Sequence, residues 1–575
     1  MGKRKWRRRL GLAGAVLIIT LLIVAWLGWA LPFWGIPFNG SRHGRAPLTP
    51  AWALECWLWE DDVNTAEAVL GLLDGYEEHD IPVRTVLIDS PWATRYNDFT
   101  VDESRYPDPE AFFTGLEARG YRVVLWMTPM VNSRSEGTAI EDSADWFATA
   151  RDKGYLAGNG YQWRWWKGTG GFIDYTNPEA MAWWRGLQQD VLDWGIDGWK
   201  LDGAATFFSS KAGKLPVPYQ RTHAGWMTTR GYMDHYYRDE YRHGLTQNPE
   251  FITLARSMDR YGHPEGFAPL DAAPVTWVGD QDHTWSIEDE GIEEAIVDVL
   301  RSAKRGYCVV GSDVGGFGGS TIPERVYIRW AQFSTFCGLF LNGGHGNRAL
   351  WERSLPELEI IREFAWLHTE LVPYMYSHVM ACHEGGPLLM RPVAGKYQYL
   401  FGDAFLVAPI FEDSLNRTVR LPRGRWRYLF DETEVIEGPT ELTRSFPLDE
   451  FPVFVREGAI VPMNVSRPYT GFGDRDSEGM LTLAIYPAGD SSFTVHYPEG
   501  ESRTVVVVRR SRHLEIALAG EPRPHVLRVL VDWAPVTVVR DGEDLTEGRD
   551  WHYETGRALL WVTSGAARSG TYQIR

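Results

Sequence analysis

From Ala51 onwards, short apolar runs alternate with stretches in which apolar residues recur at helical spacing. This alternation is typical of repeated β-α units on a parallel sheet. Eight of the apolar runs are predicted to be strands, and they span Ala51–Trp59, Thr85–Asp89, Arg122–Met127, Gly198–Asp202, Phe251–Arg256, Val275–Asp280, Tyr307–Asp313 and Leu339–Gly343. Eight such units in about 330 residues predict an α/β fold, a (β/α)8 TIM barrel with insertions.

One connecting helix is marked at both ends. Asn177 is a good N-cap residue, and Pro178 suits the first helical position, where its missing N–H would have no partner. Gly195 is a residue type that commonly ends a helix. The apolar residues between these ends share one helical face, and they are Trp183, Trp184, Leu187 and Val191. We expect this face to pack on the barrel.

The pattern changes after a long helical stretch, Pro356–Cys382. From Gly385 the chain alternates Val, Leu, Phe and Tyr with frequent Gly and Pro turns, which predicts an all-β tail. Its predicted strands include Phe405–Ile410, Trp426–Phe430, Val453–Val455, Phe493–Tyr497 and Arg503–Val508. The predicted domains are a barrel over residues 51–384, a proximal β-sandwich over residues 385–470 and a distal β-domain over residues 471–575.

The N-terminus combines a basic cluster with an apolar run. An uncharged stretch from Leu10 to Leu31, with Thr20 as its main polar residue, is long enough to cross a bilayer as a helix. A cleavable signal peptide is the alternative, but its apolar core is usually about 7–15 residues long. We therefore expect a cytoplasmic basic segment over residues 1–9, a single-pass transmembrane signal anchor over residues 10–33 and a linker over residues 34–50. The basic residues, which should keep the N-terminus in the cytoplasm and the rest outside it, are Lys3, Arg4, Lys5, Arg7, Arg8 and Arg9.

The amino-acid composition limits the classes of molecule that the protein is expected to bind. The formal net charge of -18 argues against nucleic acid, which calls for a basic face. The 27 tryptophans offer flat apolar faces of the kind on which sugar rings stack. The four cysteines are scattered, without a C-x-x-C pair or a histidine spacing typical of zinc, so no disulfide framework, metal or cofactor is expected.

Charged residues stand at the ends of several predicted strands. Active sites of (β/α)8 barrels form at the carboxyl ends of the strands, so these side chains are expected to meet at one rim. Glycoside hydrolysis needs two carboxylates, one on each side of the scissile bond, and this rim supplies four carboxylates and one arginine. The residues are Asp89, Asp202, Arg256, Asp280 and Asp313.

At these residues the chain resembles glycoside hydrolase family 31, the family of retaining α-glucosidases and α-xylosidases. The resemblance covers about Thr85 to Met463 and includes six motifs in order. They are F-I-D-Y-T-N-P at Phe172–Pro178, G-W-K-L-D-G at Gly198–Gly203, A-R-S at Ala255–Ser257, W-V-G-D at Trp277–Asp280, G-S-D-V-G-G-F at Gly311–Phe317 and P-V-F-V-R-E-G-A-I-V-P at Pro452–Pro462.

The resemblance implies a role for each matching residue. Asp202, which closes the K-x-D strand, is expected to be the nucleophile, and Asp280 of the W-x-G-D motif is expected to be the general acid and base. Trp277 is expected to form an apolar wall of the sugar site, with Trp126 and Trp165 as further candidates. Residues expected to hold sugar hydroxyls are Asp89, Lys200, Arg256, Asp313 and His345.

Two departures from the family pattern bear on the substrate. Barrel-like sequence begins almost directly after the apolar run, without the usual N-terminal β-sandwich domain, and Ala205 stands where members commonly have glutamate. The leading hypothesis is a membrane-anchored retaining α-glycosidase that hydrolyses terminal α-linked glycosyl residues, most similar to an α-glucosidase. An α-xylosidase, an α-galactosidase, a transglycosylase and a catalytically silent carbohydrate-binding surface protein remain alternatives. The expected partner is an α-glycoside or oligosaccharide.

Overall fold

The computed structural model describes residues 12–25, 44–203, 219–258, 268–473, 477–500 and 502–575. Residues 12–25 form a helix. Within the described ranges, no helix is both long and apolar enough to cross a membrane. The predicted anchor, residues 10–33, extends past both ends of the described helix. The predicted basic segment, residues 1–9, lies outside the described residues, as does most of the predicted linker.

The helices and strands of the first two thirds of the chain follow one another as repeated β-α units. The helices, numbered from residue 44 onwards, are α1 (Ala66–Glu78), α2 (Pro109–Ala118), α3 (Ala144–Asp152), α4 (Pro178–Asp193), α5 (Thr229–Gln247), α6 (Ile292–Lys304), α7 (Glu324–Thr335), α8 (Leu355–Glu370) and α9 (Val372–His383). The strands are β1 (Cys56–Glu60), β2 (Thr85–Ile88), β3 (Arg122–Met127), β4 (Met130–Ser135), β5 (Trp163–Trp165), β6 (Gly168–Phe172), β7 (Gly198–Leu201), β8 (Tyr219–Thr222), β9 (Gly225–Thr228), β10 (Ile252–Arg256), β11 (Val275–Trp277), β12 (Val310–Gly311) and β13 (Phe340–Gly344).

Eight of these strands form one parallel sheet in the order β12-β11-β10-β7-β3-β2-β1-β13. A parallel bridge between Asp313 and Leu341 joins the two edges, and the Val314 N–H donates to the Leu341 carbonyl at 2.8 Å. The sheet therefore closes into the predicted TIM barrel.

All eight predicted barrel strands are present, and their ends differ from the prediction by a few residues. The first predicted strand was wrong over Ala51–Leu54. These residues form a 3₁₀ turn in which the Ala53 N–H donates to the Pro50 carbonyl. The seventh predicted strand, Tyr307–Asp313, was too long, since the observed strand β12 is Val310–Gly311. Tyr307 belongs to the end of α6, because its N–H donates to the Ser302 carbonyl. Four predicted terminal aspartates lie just beyond their strands, and they are Asp89, Asp202, Asp280 and Asp313.

Helix α4 has the predicted caps. The Asn177 side chain accepts hydrogen bonds from the N–H groups of Glu179 and Ala180, and Pro178 is the first helical residue. Trp184 and Val191 are fully buried on its inner face. Helix α4 therefore packs on the barrel as its apolar spacing predicts.

A small antiparallel sheet, in the order β4-β6-β5, follows the carboxyl end of β3. Its centre contains Gly168 and Gly170, whose neighbours leave no room for side chains. The hairpin between β5 and β6 carries Trp165, Trp166 and Lys167 at its tip. This sheet stands on the rim where the active site of a barrel is expected.

The tail is all-β and contains two larger sheets. Its strands are β14 (Met390–Pro392), β15 (Tyr399–Phe401), β16 (Phe405–Val407), β17 (Asn416–Tyr428), β18 (Asp431–Ser445), β19 (Val453–Arg456), β20 (Ile460–Met463), β21 (Leu481–Ile485), β22 (Ser491–His496), β23 (Arg503–Arg510), β24 (Leu514–Leu530), β25 (Val538–Arg540), β26 (Glu543–Asp544), β27 (Trp551–Glu554) and β28 (Leu559–Ile574). Strands β14 to β19 form a six-stranded sheet, and β20 to β28 form a nine-stranded one. The predicted all-β C-terminal region is thus present.

Candidate active site

Asp202 and Asp280 meet at one guanidinium group. The Arg256 Nη2 atom lies 3.4 Å from Asp202 Oδ1 and 3.0 Å from Asp280 Oδ2. Because both carboxylate oxygens contact the same nitrogen, they lie at most roughly 6.4 Å apart. This upper limit is compatible with the ~5–5.5 Å between the two carboxyl groups that is typical of retaining glycosidases. The strands β7, β10 and β11 are neighbours in the barrel, and they carry the three residues to the same rim.

The surroundings of Asp202 favour its ionised form. Burial alone would raise the pKa of this carboxyl, but the positive charges of Arg256 and Lys200 outweigh burial and lower the pKa below its usual value. Trp126 Nε1 donates a hydrogen bond to Asp202 Oδ2 at 3.2 Å. An ionised carboxylate is the form that attacks an anomeric carbon.

The backbone on each side of the two aspartates explains the glycines of their motifs. Gly203 has a φ of +74°, and a Cβ there would lie 2.5 Å from Thr128 Cγ2. A Cβ on Gly279 would lie 2.1 Å from Asp313 Oδ2. The space beside Gly279 is therefore needed by Asp313, whose Oδ2 accepts a hydrogen bond from Asp280 N at 3.2 Å.

Asp280 itself is held in an unusual backbone conformation, with a φ of +83°. Positive φ is uncommon outside glycine and costs on the order of 1–3 kcal/mol, although aspartate tolerates it better than most residues. The bond from its N–H to Asp313 helps to fix this turn. The turn directs the Asp280 carboxylate to Arg256.

Lys200 is the buried cation at the base of the site. Its Nζ donates to Asp89 Oδ2 at 2.7 Å and lies 3.6 Å from the ring centroid of Trp59 and 5.3 Å from that of Trp277. Burial on its own would lower the pKa of Lys200, but the negative charges around it, first that of Asp89, raise the pKa above its usual value. Lys200 therefore stays charged and offsets part of the negative charge of the rim.

Aromatic rings form one wall beside Asp202. Trp126 and Trp165 lie parallel, with centroids 6.3 Å apart and planes 2° apart. The Tyr96 ring packs against both at a steep angle, with its centroid 5.8 Å from each of theirs. Because Trp126 also bonds Asp202, the β4-β6-β5 sheet is connected to the Asp202–Asp280 pair through this stack. Trp277, the third predicted wall residue, is fully buried under Arg256, whose guanidinium lies 4.4 Å from its ring centroid.

His345 lies on the opposite part of the rim, between two carboxylates. Its Nδ1 is 2.8 Å from Asp62 Oδ1, and its Nε2 is 3.3 Å from Asp61 Oδ2. The imidazole also contacts the Phe317 ring, at 4.7 Å between centroids. Both ring nitrogens therefore face protein carboxylates, and the side chain remains about a third exposed.

The structure brings all eight predicted site residues to the same end of the barrel. Seven of them are linked directly or through Arg256 and Lys200. His345 joins them through the rings of Phe317 and Trp59, because Trp59 lies under Lys200. Asp313 is wholly buried, with one carboxylate oxygen that lacks a hydrogen-bond partner among the described residues. Ala205 lies outside the described residues, and the described residues contain no cluster suited to a metal ion.

Sequence reasoning missed three residues of the site, all at the end of β1. They are Trp59, Asp61 and Asp62. The predicted first strand ended at Trp59, whereas the observed strand ends at Glu60. With the strand end at Glu60, Asp61 is the first residue beyond β1, the position that Asp89 and Asp202 occupy after β2 and β7.

The fold and the paired carboxylates define the class as a (β/α)8 protein with a site of the glycoside hydrolase type. A family model described as the glycosyl hydrolases family 31 TIM-barrel domain matches residues 46–378, and the model of that family's C-terminal domain matches residues 385–461. The chain belongs to glycosyl hydrolase family 31.

Curated relatives are similar over most of this chain. An α-xylosidase of Emericella nidulans is 28% identical over 73% of the chain and 54% of its own length. α-Glucosidase 2 of Bacillus thermoamyloliquefaciens is 26% identical over 80% of the chain and 59% of its own length. An isomaltosyltransferase of Sporosarcina globispora is 23% identical over 92% of the chain and 53% of its own length. The chain thus spans little more than half the length of these relatives.

Solved structures share the fold. The GH31 dextranase of Flavobacterium johnsoniae in complex with glucose has a TM-score of 0.79 at 20% identity, and the match covers 92% of this chain and 71% of the dextranase. The cycloalternan-forming enzyme of Listeria monocytogenes has a TM-score of 0.80 at 22% identity, with 93% and 55% covered. The barrel and β-domains therefore share the fold of these two solved structures.

Proposed function

We propose that this protein is a retaining α-glycosidase that releases terminal α-linked glycosyl residues by double displacement. The observation that carries the proposal is the single guanidinium nitrogen of Arg256 that contacts both Asp202 and Asp280. This nitrogen holds two carboxylates close together on the rim of a family 31 barrel. The charges of Arg256 and Lys200 favour the ionised form of Asp202.

In the first step, Asp202 attacks the anomeric carbon and forms a glycosyl ester. The bond from that carbon to the leaving oxygen breaks, and protonated Asp280 gives this oxygen its proton. In the second step, Asp280 takes a proton from a water molecule, which attacks the same carbon and releases Asp202. Two displacements at one carbon restore the original configuration.

An α-glucoside is the first choice of substrate, because the relatives include enzymes named α-glucosidase. The relatives named α-xylosidase keep an α-xyloside as the nearest alternative. An α-galactoside is a further one. Transfer of the sugar to an acceptor other than water is supported as an alternative by the similarity to an isomaltosyltransferase.

The test uses a panel of aryl α-glycosides that includes the glucoside, xyloside and galactoside. We expect the wild-type protein to hydrolyse at least one of them, with the α-anomer as the first product seen by NMR. Asp202→Ala should lower kcat by about 10⁴-fold or more, since the side chain that forms the glycosyl ester is then absent. A first product of β configuration, or an unchanged rate in Asp202→Ala, would contradict the proposal.

We also propose that residues 10–33 anchor the protein in a membrane, with the barrel on the extracytoplasmic side. The basic residues before an uncharged run support this orientation. Over the described part of the run, residues 12–25, the large apolar side chains of the helix are exposed. The full chain should sediment with membranes and resist extraction by high salt, whereas a chain lacking about the first 40 residues should not. Equal recovery of both in the supernatant would contradict the anchor.

A further inference from the structure

The wall of the barrel opposite the catalytic pair contains a carboxylate that the sequence did not reveal. In the closed barrel, four steps from β1 in either direction lead to β10, which carries Arg256. Asp202 and Asp280 follow the strands on either side of β10. Asp61, directly after β1, therefore lies across the barrel from the point where the anomeric carbon would react.

The contacts of Asp61 leave its carboxylate weakly satisfied. Its Oδ2 atom lies 3.3 Å from His345 Nε2, and its Oδ1 atom is 3.5 Å from Asn64 Nδ2. Good hydrogen bonds to a carboxylate are nearer 2.7–3.0 Å, as in the neighbouring Lys200–Asp89 pair at 2.7 Å. Only 12% of the Asp61 side chain is exposed. A nearly buried carboxylate with only long contacts has capacity for a further donor.

The charges that face Asp61 come from several elements. Asp89 follows β2, Lys200 lies on β7, Lys167 lies at the tip of the β5-β6 hairpin, and His345 follows β13. Burial, and then the negative charge of Asp89, raise the pKa of Asp61 to about 7, against the opposing effect of the three basic side chains. Near neutral pH this carboxyl group can therefore act either as donor or as acceptor to a hydroxyl group.

We propose that Asp61 determines specificity by binding a hydroxyl group on the edge of the −1 sugar that is remote from its anomeric carbon. The proposal rests on the proposed function. In a pyranose ring, C4 lies across from C1, so a sugar whose C1 sits between Asp202 and Asp280 presents its C4 and C6 substituents to the β1 wall. The substrate class is then a neutral α-hexoside. An anionic group at C6 would face the carboxylates of Asp61, Asp62 and Asp89, and the cations Lys200 and His345 beside them already pair with these carboxylates.

The pairing of a side chain with a sugar hydroxyl is tested by removing each partner separately. The variants are Asp61→Ala, Asp61→Asn and Asp62→Asn, and the substrates are aryl α-glucoside, its 4-deoxy and 6-deoxy analogues, and an aryl α-glucuronide as anionic probe. Asp62→Asn is the matched control, because it removes the other carboxylate on His345 without removing Asp61. Thermal unfolding of each variant shows whether it is folded.

We expect Asp61→Ala to lower kcat/KM for the glucoside by about 10- to 100-fold, the usual effect of a lost hydrogen bond to a charged group. One of the two deoxy analogues lacks the hydroxyl group that Asp61 binds. The wild-type kcat/KM for that analogue should already be low, and Asp61→Ala should lower it little further. Asp61→Asn, which can still bond a hydroxyl, should keep more activity than Asp61→Ala. Asp62→Asn should change all substrates by a similar factor. The glucuronide should be a poor substrate of the wild-type protein.

An equal loss for the glucoside and both deoxy analogues in Asp61→Ala would overturn the inference, because Asp61 would then only position His345. No loss in Asp61→Ala would overturn it as well. Each of these outcomes leaves the proposed function standing, since the wild-type protein remains active. A wild-type protein that hydrolyses neither the neutral glycosides nor the glucuronide would instead overturn the proposed function, and the inference with it. Hydrolysis of the glucuronide alone would overturn only the inference.

Discussion

At the level of single residues, the site assigns different tasks to side chains of the same type. Asp202 is kept ionised by Arg256 and Lys200, whereas Asp313, only a strand away from Asp280, is wholly buried. Burial raises the pKa of Asp313 to about 6, with Lys200 opposing the rise and Asp280 adding to it. A buried carboxylate of this kind supports the turn at Asp280 but lowers the stability of the fold.

Replacement of Asp313 should therefore affect stability in a pH-dependent way. The pKa of Asp313 is higher in the folded protein, about 6, than its usual 3.8, so the folded state binds the proton more tightly. The stabilisation of the fold by protonated Asp313 is fully present below about pH 4 and is lost as the pH rises through 6. The loss amounts to at most ~3 kcal/mol in the free energy of unfolding. Asp313→Asn should be no more stable than the wild-type protein at pH 4 but more stable at pH 7, as measured by denaturant unfolding.

The same variant should lose activity, because Asp313 holds the backbone of Asp280. A stability difference that is independent of pH would show that Asp313 does not titrate between pH 4 and 7 in the folded protein.

At the level of secondary structure, the barrel strands could be predicted from the sequence because their apolar runs are separated by helical periodicity. The cap residues Asn177 and Pro178 likewise placed the start of α4 correctly. What the sequence could not provide was the last residue of each strand, since a strand ends where its ladder partners end. That uncertainty of one residue concealed Asp61.

The sequence also left the partners of His345 unknown. Its contacts with Asp61 and Asp62 join residues about 280 positions apart in the chain, and only the closure of β13 against β1 brings them together. By contrast, Arg256, Asp202 and Asp280 could be grouped in advance, because each follows or ends a strand within an ordered set of motifs. Proximity across the barrel depends on strand order, which motifs alone do not reveal.

The turn after β11 should tolerate no side chain at Gly279. A Cβ at this position would lie 2.1 Å from Asp313 Oδ2 and 2.5 Å from Trp277 Cδ1. Gly279→Ala should therefore destabilise the fold by about 1–3 kcal/mol and sharply lower kcat, because Asp280 must shift away from Arg256. Unfolding curves and steady-state kinetics measure the two effects.

Gly186→Ala is the matched control. Gly186 is an exposed residue of α4, and its added Cβ meets no atom within 4 Å. This substitution should stabilise the helix by about 0.5–1 kcal/mol and leave kcat unchanged. Full activity in Gly279→Ala would show that the turn does not constrain the catalytic geometry.

At the level of the whole molecule, the two β-sheets of the tail are joined to each other by a buried ion pair. Both terminal nitrogens of Arg528, on β24, donate to the carboxylate of Glu432, on β18, and the Tyr486 hydroxyl donates to the same carboxylate. The Arg528 side chain is 2% exposed and that of Glu432 is 10% exposed. Such a pair is strongly destabilising to break, because one charge then remains buried without its partner.

Glu432→Gln should lower the free energy of unfolding by about 3–5 kcal/mol. The exposed pair Arg420–Glu441 provides the control, since Glu441→Gln should cost less than about 1 kcal/mol. Both glutamates lie on β18 in the tail, outside the barrel, so kcat per folded molecule should be unchanged in both variants. Equal thermal stability of the two variants would show that the buried pair does not hold the tail sheets together.

The most direct test of the central claim, that Asp202 is a covalent nucleophile, is the trapping of a glycosyl-enzyme. An α-glucosyl fluoride with a second fluorine at C5 destabilises the positively charged transition state of both steps, while its good leaving group still lets the first step occur. After digestion, mass spectrometry should locate one glycosyl group on Asp202, and Asp202→Ala should remain unlabelled. Label on another residue, or turnover of ordinary substrate to a β-anomer without any label, would contradict the account.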